Sequence, residues 1–452
     1  MNPSQPTVEP LVPIEAPATQ QVPFSPGKRL SLRANFSWTF MGNVVYAASQ
    51  WGMLVVLAKL GSPEMVGLFA LALAICSPIV IFTNLQLRNV QATDVKHGYL
   101  FGDYFGLRLV TISVALLIVL AVMVLSRDTV SQGLVILFMG VAKSVEAVSD
   151  VFYGMFQQHE RFDRIAKSMM LKGPLSLLVF GGVVYLTGSV LWGVVGLALS
   201  WAMVLIYDIR SGIMILRAEP EMSGEQGIRA VRPRWSAAKL KGLTLTTLPL
   251  GAAALLITLN PNIPRYFVQW ALGERELGIY AALAYLVVAG NTVITALGQS
   301  AMPRLARSYS NGDGNAFRGL LLRLVGIGAL LGGAGILVAL LAGRSVLLLL
   351  YSPEYAEHTD VFLWVMVAAA IGYMGSFLNC GLMAARYFKA QLVLYVVVTL
   401  VAVAACAWLV PLAALRGAAW ALALSLTVHA LGNLLVNWYA LRHQAAGKAV
   451  IT

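Results

Sequence analysis

Charged residues are scarce in this sequence. Asp, Glu, Lys and Arg together make up 12% of its 452 residues, whereas a soluble globular chain contains about 25%. Hydrophobic residues account for 59%. Because too few polar side chains remain to cover a surface in water, the composition excludes a soluble protein. It predicts an all-α polytopic membrane protein, since helices satisfy their own backbone hydrogen bonds within lipid.

Cysteine is also scarce, and the motifs of common cofactor sites are missing. The three cysteines, Cys76, Cys380 and Cys406, fall in apolar stretches, and no Cys/His cluster has the spacing of a metal site. The sequence has no phosphate-binding glycine loop and no nucleophile elbow. These absences predict no cofactor, no metal and no ATP-driven transport, and they argue against an enzyme.

Apolar stretches of about 20 residues, the length that crosses a bilayer, recur along the chain. One of them, residues 243–270, is interrupted by prolines. The twelve predicted spans are residues 35–58, 65–87, 103–125, 131–156, 166–187, 190–214, 243–270, 276–300, 320–342, 360–384, 389–410 and 417–440.

Lys and Arg are distributed unevenly between the two sides that these spans define. The sparse side has only Lys59, Arg127, Arg265, Arg275, Arg344 and Arg416. By the positive-inside rule the rich side, on which Lys172 is counted, is cytoplasmic and holds both termini and the loop 217–241. The net charge of +12 is therefore attributed to topology and anionic lipid. No basic, aromatic-rich module for nucleic acid is visible.

The order of several short matches indicates an internal duplication. The matched pairs are Gly67 with Gly278, Arg88 with Arg304, Arg108 with Arg323, and Gly154 with Gly381. Since each half has six spans, the halves form parallel repeats around an axis along the membrane normal, with a substrate path between them. The predicted organisation is a disordered cytoplasmic tail (1–30), a six-helix bundle (31–216), a cytoplasmic linker (217–241), a second six-helix bundle (242–441) and a cytoplasmic tail (442–452).

The interrupted seventh span brings together Asn260, Pro261, Asn262, Pro264 and Arg265. Proline frees backbone groups that lipid cannot satisfy, so the break must face protein or a water-filled cavity. We predict that Asn260, Asn262 and Arg265 contribute to a substrate site, because transport sites are often built at broken membrane helices. The alternative is a simple kink from which Arg265 extends to the headgroups.

The fourth span has charged residues where lipid would penalise them. Lys143, Glu146, Asp150 and Gln157 share one helical face at about 100° per residue. Such charges face a bundle interior, where they pair or line a path. One interpretation is a buried ion-pair cluster that fixes helix packing. The other assigns Lys143 to substrate binding, and Glu146 with Asp150 to proton or cation coupling, because carboxylates that share a site favour protonation of one.

Three further polar residues are candidates for the substrate site. Arg88 ends the second span and is either a topology anchor or a ligand. Asn291 and Gln299 lie on one face of the eighth span. Amides in this arrangement either line a polar path or form hydrogen bonds between helices, each worth about 0.6 kcal/mol.

Short strings in both halves resemble one family. In the first half they are Gln86-Leu87-Arg88, Gln91-Ala92-Thr93-Asp94, Phe101-Gly102-Asp103-Tyr104 and Gln158-His159-Glu160-Arg161-Phe162. In the second half they are Asn262-Ile263-Pro264-Arg265-Tyr266, Leu277-Gly278-Ile279-Tyr280 and Pro303-Arg304-Leu305-Ala306. They resemble bacterial polysaccharide transporters, the O-antigen and exopolysaccharide flippases of the multidrug/oligosaccharidyl-lipid/polysaccharide exporter superfamily.

The resemblance implies two six-helix bundles arranged as a V around a central cavity. It implies a flippase that moves polyprenyl-pyrophosphate-linked oligosaccharide across the bacterial inner membrane for O-antigen, exopolysaccharide or capsule synthesis. A polysaccharide polymerase and glycosyltransferases would be its partners. Related flippases hold the diphosphate with cavity arginines, and Arg265 and Lys143 are best placed for this role.

Two alternatives remain at this point. The first is a cation-coupled multidrug antiporter on the same fold, which would have an acidic, aromatic pocket for drugs. The second is a membrane glycan polymerase or ligase, which normally needs a sizeable outer loop that bears its acids and bases. The longest outer loop predicted here, about Gly343 to Thr359, is short for that purpose.

Overall fold

The computed structural model describes residues 32–94, 98–125, 129–217 and 231–449. Three parts of the predicted organisation lie outside these ranges: the tail 1–30, residues 218–230 of the linker 217–241, and residues 450–452 of the tail 442–452. Within the described ranges every regular element is a helix.

The described residues of the first half form seven helices. They are α1 (Leu32–Leu60), α2 (Pro63–Thr83), α3 (Leu87–Thr93), α4 (Phe101–Leu125), α5 (Val130–Gln158), α6 (Phe162–Thr187) and α7 (Val190–Arg217). The second half repeats this layout with more interruptions. It comprises α8 (Ala237–Leu259), a 3-10 turn (Asn260–Asn262), α9 (Ile263–Leu272), α10 (Glu274–Tyr285), α11 (Val287–Ser310), α12 (Gly314–Leu350), a 3-10 helix (Pro353–His358), α13 (Thr359–Ala384) and α14 (Phe388–Ala449).

These helices confirm a polytopic membrane protein with about twelve spans. Ten helical segments of the described chain are long and apolar enough to cross a membrane. One of them, Phe388–His443, leaves helical geometry at Ala413 and Ala414. Its two arms pack side by side, because the Tyr395 ring lies 5.2 Å from the His429 ring. Counting both arms, together with α5 and its internal charges, gives six spans in each half.

A two-residue connection between spans follows from one glycine. Gly188 ends α6 with φ of 62°, a left-handed conformation that glycine adopts without strain. Its N–H donates to the carbonyl of Val184 at 2.8 Å, and α7 begins at Val190. The turn at Gly188 therefore separates two antiparallel spans that the sequence leaves almost continuous.

The loop expected from Gly343 to Thr359 is shorter than predicted. Because the apolar run resumes at residues 346–350, α12 extends to Leu350, and the short 3-10 helix follows almost at once. The Tyr351 hydroxyl donates to the carbonyl of Ala282 at 2.9 Å, which fastens the connection to α10. The connection is a packed turn.

Glycines matched by the duplication touch each other where α2 crosses α10. A Cβ atom on Gly67 would lie 1.9 Å from the carbonyl oxygen of Glu274, and one on Gly278 would lie 1.8 Å from that of Pro63. Both positions therefore require glycine, and the two backbones approach very closely. The reciprocal contact is the one expected when a two-fold axis relates the halves.

Polar contacts surround this crossing. Arg275 of α10 lies 3.8 Å from Glu64 of α2, and Gln132 of α5 hydrogen bonds to Glu274. Both contacts join the first half to the second. We call this end of the molecule, where α1 ends and α2 begins, the closed face. The other end, where α5 ends and α6 begins, is the open face.

Candidate functional site: a polar cavity between the halves

A cavity of about 730 Å³ lies between the halves and extends to the open face. The first half supplies almost all of its wall, and the second half contributes Gln299 of α11. The charged groups in the wall are the cations Arg88, Lys143 and Lys172 and the carboxylates Glu146 and Asp150. The wall therefore has an excess of positive charge.

Lys143 and Glu146 form a compact ion pair on α5. Their charged atoms are 2.9 Å apart, and the Tyr46 hydroxyl of α1 donates to the other oxygen of Glu146 at 2.6 Å. The ammonium also lies 5.3 Å from the centre of the Trp201 ring. Both charges are thus compensated at short range, and the ring adds a cation–π contact to Lys143.

Asp150 belongs to a second cluster, one turn further along α5. One of its oxygens lies 3.2 Å from Arg108 of α4, and the other lies 3.5 Å from Arg88 of α3. Arg108 is fully buried and also donates to Asn84. Glu146 and Asp150 therefore both line the cavity but pair with different cations.

A left-handed turn places Arg88 in the cavity wall. Leu85 and Gln86 have φ of 51° and 53°, and they redirect the chain from α2 into the short α3. Arg88 follows directly, and its Nε donates to Oε1 of Gln157 at 3.3 Å. Its guanidinium also faces the Tyr153 ring, at 5.4 Å from the ring centre.

Lys172 of α6 lines the cavity and contacts the same tyrosine. Its ammonium donates to the Tyr153 hydroxyl at 3.2 Å and lies 5.2 Å from the ring centre. The same hydroxyl is hydrogen bonded to Ser168 at 2.7 Å. Behind Lys172, the fully buried carboxylate of Asp208 on α7 acts on the ammonium through its charge.

Arg265 lies outside this cavity wall, at the start of α9. Its Nη1 donates to Oδ1 of Asn262 at 3.0 Å, and its Nε is buried without a hydrogen-bond partner. The ionisable groups that act on it are the tyrosines Tyr266, Tyr280 and Tyr285. Tyr285 also interacts electrostatically with Lys143.

The double-proline break is milder than the sequence suggests, because helical backbone continues through its single 3-10 turn. The amide nitrogen of Asn260 donates to the carbonyl of Leu256 at 2.9 Å. That of Asn262 donates to the carbonyl of Thr258 at 2.8 Å. These amides satisfy helix carbonyls beside the prolines, while Oδ1 of Asn260 is buried without a partner.

The two amides predicted on the eighth span have different surroundings. Gln299 lines the cavity, whereas Asn291 is exposed on α11 outside the cavity wall. The span itself is divided between α10 and α11. The Tyr373 hydroxyl of α13 donates to the carbonyl of Val287 at 2.9 Å, at this junction.

Three buried ionisable residues of the site were missed by the sequence analysis: Arg108, Lys172 and Asp208. Arg108 served only to align the repeat. The sequence analysis counted Lys172 among the cations on the Lys- and Arg-rich side of the spans, and that assignment is wrong. Because α6 begins at Phe162, Lys172 lies inside the bundle and is only 2% exposed. One signal would have found all three, namely an ionisable residue within an apolar span.

Residues 32–309 match a family described as polysaccharide biosynthesis protein. The matched segment is more than half of the chain and includes every residue of the cavity wall. This chain belongs to that family. The match confirms the resemblance indicated by the short strings of both halves.

A curated relative and two solved structures place this family member among known proteins. The capsular polysaccharide biosynthesis protein CapF of Staphylococcus aureus is 26% identical over 355 residues, which cover 77% of this chain and 85% of CapF. An inward-facing multidrug resistance MATE family transporter of the MOP superfamily aligns with a TM-score of 0.68 and 13% identity, over 88% of this chain and 95% of its own. For an outward-facing MATE transporter the TM-score is 0.58 and the identity 15%, over 90% and 95% of the two chains. The structural likeness confirms the fold of two helical bundles around a cavity.

Proposed function

We propose that this protein is a flippase that moves polyprenyl-pyrophosphate-linked oligosaccharide across the bacterial inner membrane during polysaccharide biosynthesis. In this proposal the open face is cytoplasmic, as are the tail 1–30 and the linker 217–241. The two six-helix units would be residues 31–216 and 242–441. The cavity would receive its substrate from the cytoplasmic side, since the halves are joined at the closed face.

The excess of positive charge in an otherwise neutral polar wall carries this proposal. A diphosphate requires cations, and the wall has three cations for two carboxylates. A glycan requires amides and hydroxyls, because these form hydrogen bonds with sugar hydroxyls without a charge. The wall supplies such groups from Thr39, Asn43, Ser77, Asn84 and Gln157.

The lipid part of the substrate requires an apolar surface that adjoins the polar cavity. On α1, Phe40 and Met41 lie in the sequence between the cavity residues Thr39 and Asn43. These two apolar side chains are about half exposed. A polyprenyl chain following this edge of α1 would remain in the membrane while its headgroup occupies the cavity.

The roles of individual residues are part of the proposal. Arg265 and Lys143 would bind the diphosphate near the closed face, and Arg88 would bind it near the open face. Glu146 or Asp150 would exchange a proton or cation and so bias the two open states. The amides of Asn260, Asn262, Asn291 and Gln299 would line the glycan path.

Transport of a polyprenyl-pyrophosphate-linked oligosaccharide into the outer leaflet of proteoliposomes tests this function. We expect Arg265→Ala to abolish transport and Arg265→Lys to retain part of it, because lysine supplies the charge without the two-pronged contact to phosphate. Arg344→Ala is the matched control, since Arg344 is exposed on α12. Normal transport by Arg265→Ala would refute the role of Arg265. Failure of the wild type to transport, with efflux of cationic drugs instead, would favour the antiporter.

A further inference from the structure

Tyr153, in the wall of the cavity, contacts two cations. The Arg88 guanidinium lies 5.4 Å from the ring centre, and the Lys172 ammonium lies 5.2 Å from it. The hydroxyl of the same tyrosine accepts a hydrogen bond from Lys172. One side chain thus orients two positive groups toward the same polar space.

Neither of these cations has a carboxylate of its own. Asp150 lies 3.5 Å from Arg88 and 3.2 Å from the fully buried Arg108, so Arg88 shares this carboxylate with Arg108. Within the described residues, Lys172 forms no ion pair at contact distance, and its polar partner is the neutral hydroxyl of Tyr153. The carboxylates of Asp208, Glu146 and Asp150 act on its ammonium through their charge without forming an ion pair at contact distance.

Lys143 differs in this respect. Its ammonium is already in contact with Glu146 at 2.9 Å, and that carboxylate is held by Tyr46. To bind a phosphate, Lys143 must share or give up a charged partner. Lys172 needs only to exchange a neutral acceptor for a charged one, and charge-assisted hydrogen bonds are about twice as strong as neutral ones.

We propose that Arg88 and Lys172 together form the diphosphate site at the open end of the cavity, and that Tyr153 is the residue that positions them. This inference rests on the proposed function, and it assigns roles to Lys172 and Tyr153. The hydroxyl of Tyr153 holds the ammonium at the cavity wall until a phosphate oxygen replaces it. The ring keeps the guanidinium of Arg88 beside the same space.

Equilibrium binding of inorganic pyrophosphate to the purified full-length protein, measured by calorimetry, tests this assignment. We expect Lys172→Gln to weaken binding about tenfold or more, the loss expected for a hydrogen bond to a charged group. Lys172→Arg should restore most of the affinity. Lys167→Gln is the matched control, because it removes one lysine charge from the same helix outside the cavity wall and should change the affinity less than about threefold.

The positioning role of Tyr153 needs a separate measurement. Tyr153→Phe keeps the ring and every charge but removes the hydroxyl, so we expect about threefold to tenfold weaker binding. In a background of Lys172→Gln the same change should have no further effect, because the hydroxyl acts through the lysine. Additive losses would contradict this role of Tyr153.

The outcomes separate the inference from the proposed function. If the wild type binds neither pyrophosphate nor a polyprenyl diphosphate, the proposed substrate class is wrong, and this site falls with it. If the wild type binds and Lys172→Gln binds equally well, only the present assignment is wrong. Should Lys172→Gln fail to fold, Tyr153→Phe decides: unchanged affinity in that variant would refute the site.

Discussion

Replacing Gly67 by alanine should separate the two halves at the closed face. The added Cβ would lie 1.9 Å from the backbone carbonyl oxygen of Glu274, whereas ordinary contacts of a Cβ begin at 3.4 Å. A backbone carbonyl cannot rotate away as a flexible side chain would. The two helices must therefore move apart by about 1.5 Å, or the crossing must open.

The energetic effect follows from this overlap. Forcing an extra carbon into a packed contact costs about 1–3 kcal/mol. Since about 1.4 kcal/mol corresponds to a factor of ten, the ratio of the closed-face contact to the open state should fall by roughly 5-fold to 140-fold. Gly278→Ala should have a similar effect. The double variant should fall short of the sum, because one separation relieves both overlaps.

Cross-linking measures this opening directly. Glu64 and Arg275 are exposed, and Oε1 of Glu64 lies 3.8 Å from Nε of Arg275 across the closed face, so a short thiol-reactive cross-linker should join cysteines introduced at both positions. We expect Gly67→Ala to reduce the cross-linked fraction at a fixed reagent concentration. Gly319→Ala is the control, since a Cβ there meets open space. Equal cross-linking in the Gly67→Ala and Gly319→Ala proteins would refute the reasoning.

Three further predictions concern the charged residues. Asp150→Asn should destabilise the protein by about 3 kcal/mol, because it leaves the fully buried Arg108 without a counter-charge. Glu146→Gln should destabilise it less, and equal melting temperatures of the two variants would contradict this. If Glu146 or Asp150 is the coupling site, its neutralisation should make transport in proteoliposomes insensitive to an imposed pH or sodium gradient. Wild-type transport that depends on neither gradient would exclude coupling. Arg275→Ala should lower the free energy of unfolding by less than about 1 kcal/mol, since the contact of Arg275 with Glu64 is exposed. A larger loss of stability would show that this ion pair stabilises the closed face.

Much of the fold could be predicted because the apolar runs have the length of a bilayer. The spans, the tight turn at Gly188 and the duplication all follow from local patterns. The extents of some helices do not: α12 continues to Leu350 and α6 begins at Phe162. Membrane helices extend beyond the apolar core into the headgroup region, and composition alone does not mark that end.

The candidate site was predicted only in part, because a helical face can be read from sequence but its neighbours cannot. The shared face of Lys143, Glu146, Asp150 and Gln157 is evident from their spacing, and all four line the cavity. That Asp150 pairs with Arg108 of α4 depends on how α4 packs against α5. No spacing along either helix contains that information.

The duplication explains why the cavity is charged on one side only. With Gly154 aligned to Gly381, Asp150 corresponds to Phe377, an apolar residue buried in the core of the second half. The first half can bury Arg108 because Asp150 compensates it, whereas the corresponding Arg323 has no such partner and is exposed on α12.

Arg88 and its counterpart Arg304 differ in the same way, since Arg88 lines the cavity and Arg304 is exposed outside its wall. Asp150 thus gives the first half a place where arginine is held inside the bundle, whereas the second half shares only the helical layout. Arg304→Gln should therefore leave pyrophosphate binding unchanged while Arg88→Gln weakens it about tenfold, by loss of a hydrogen bond to a charged group. Equal losses in calorimetric titrations of the two variants would mean that both halves of the repeat contribute to the site.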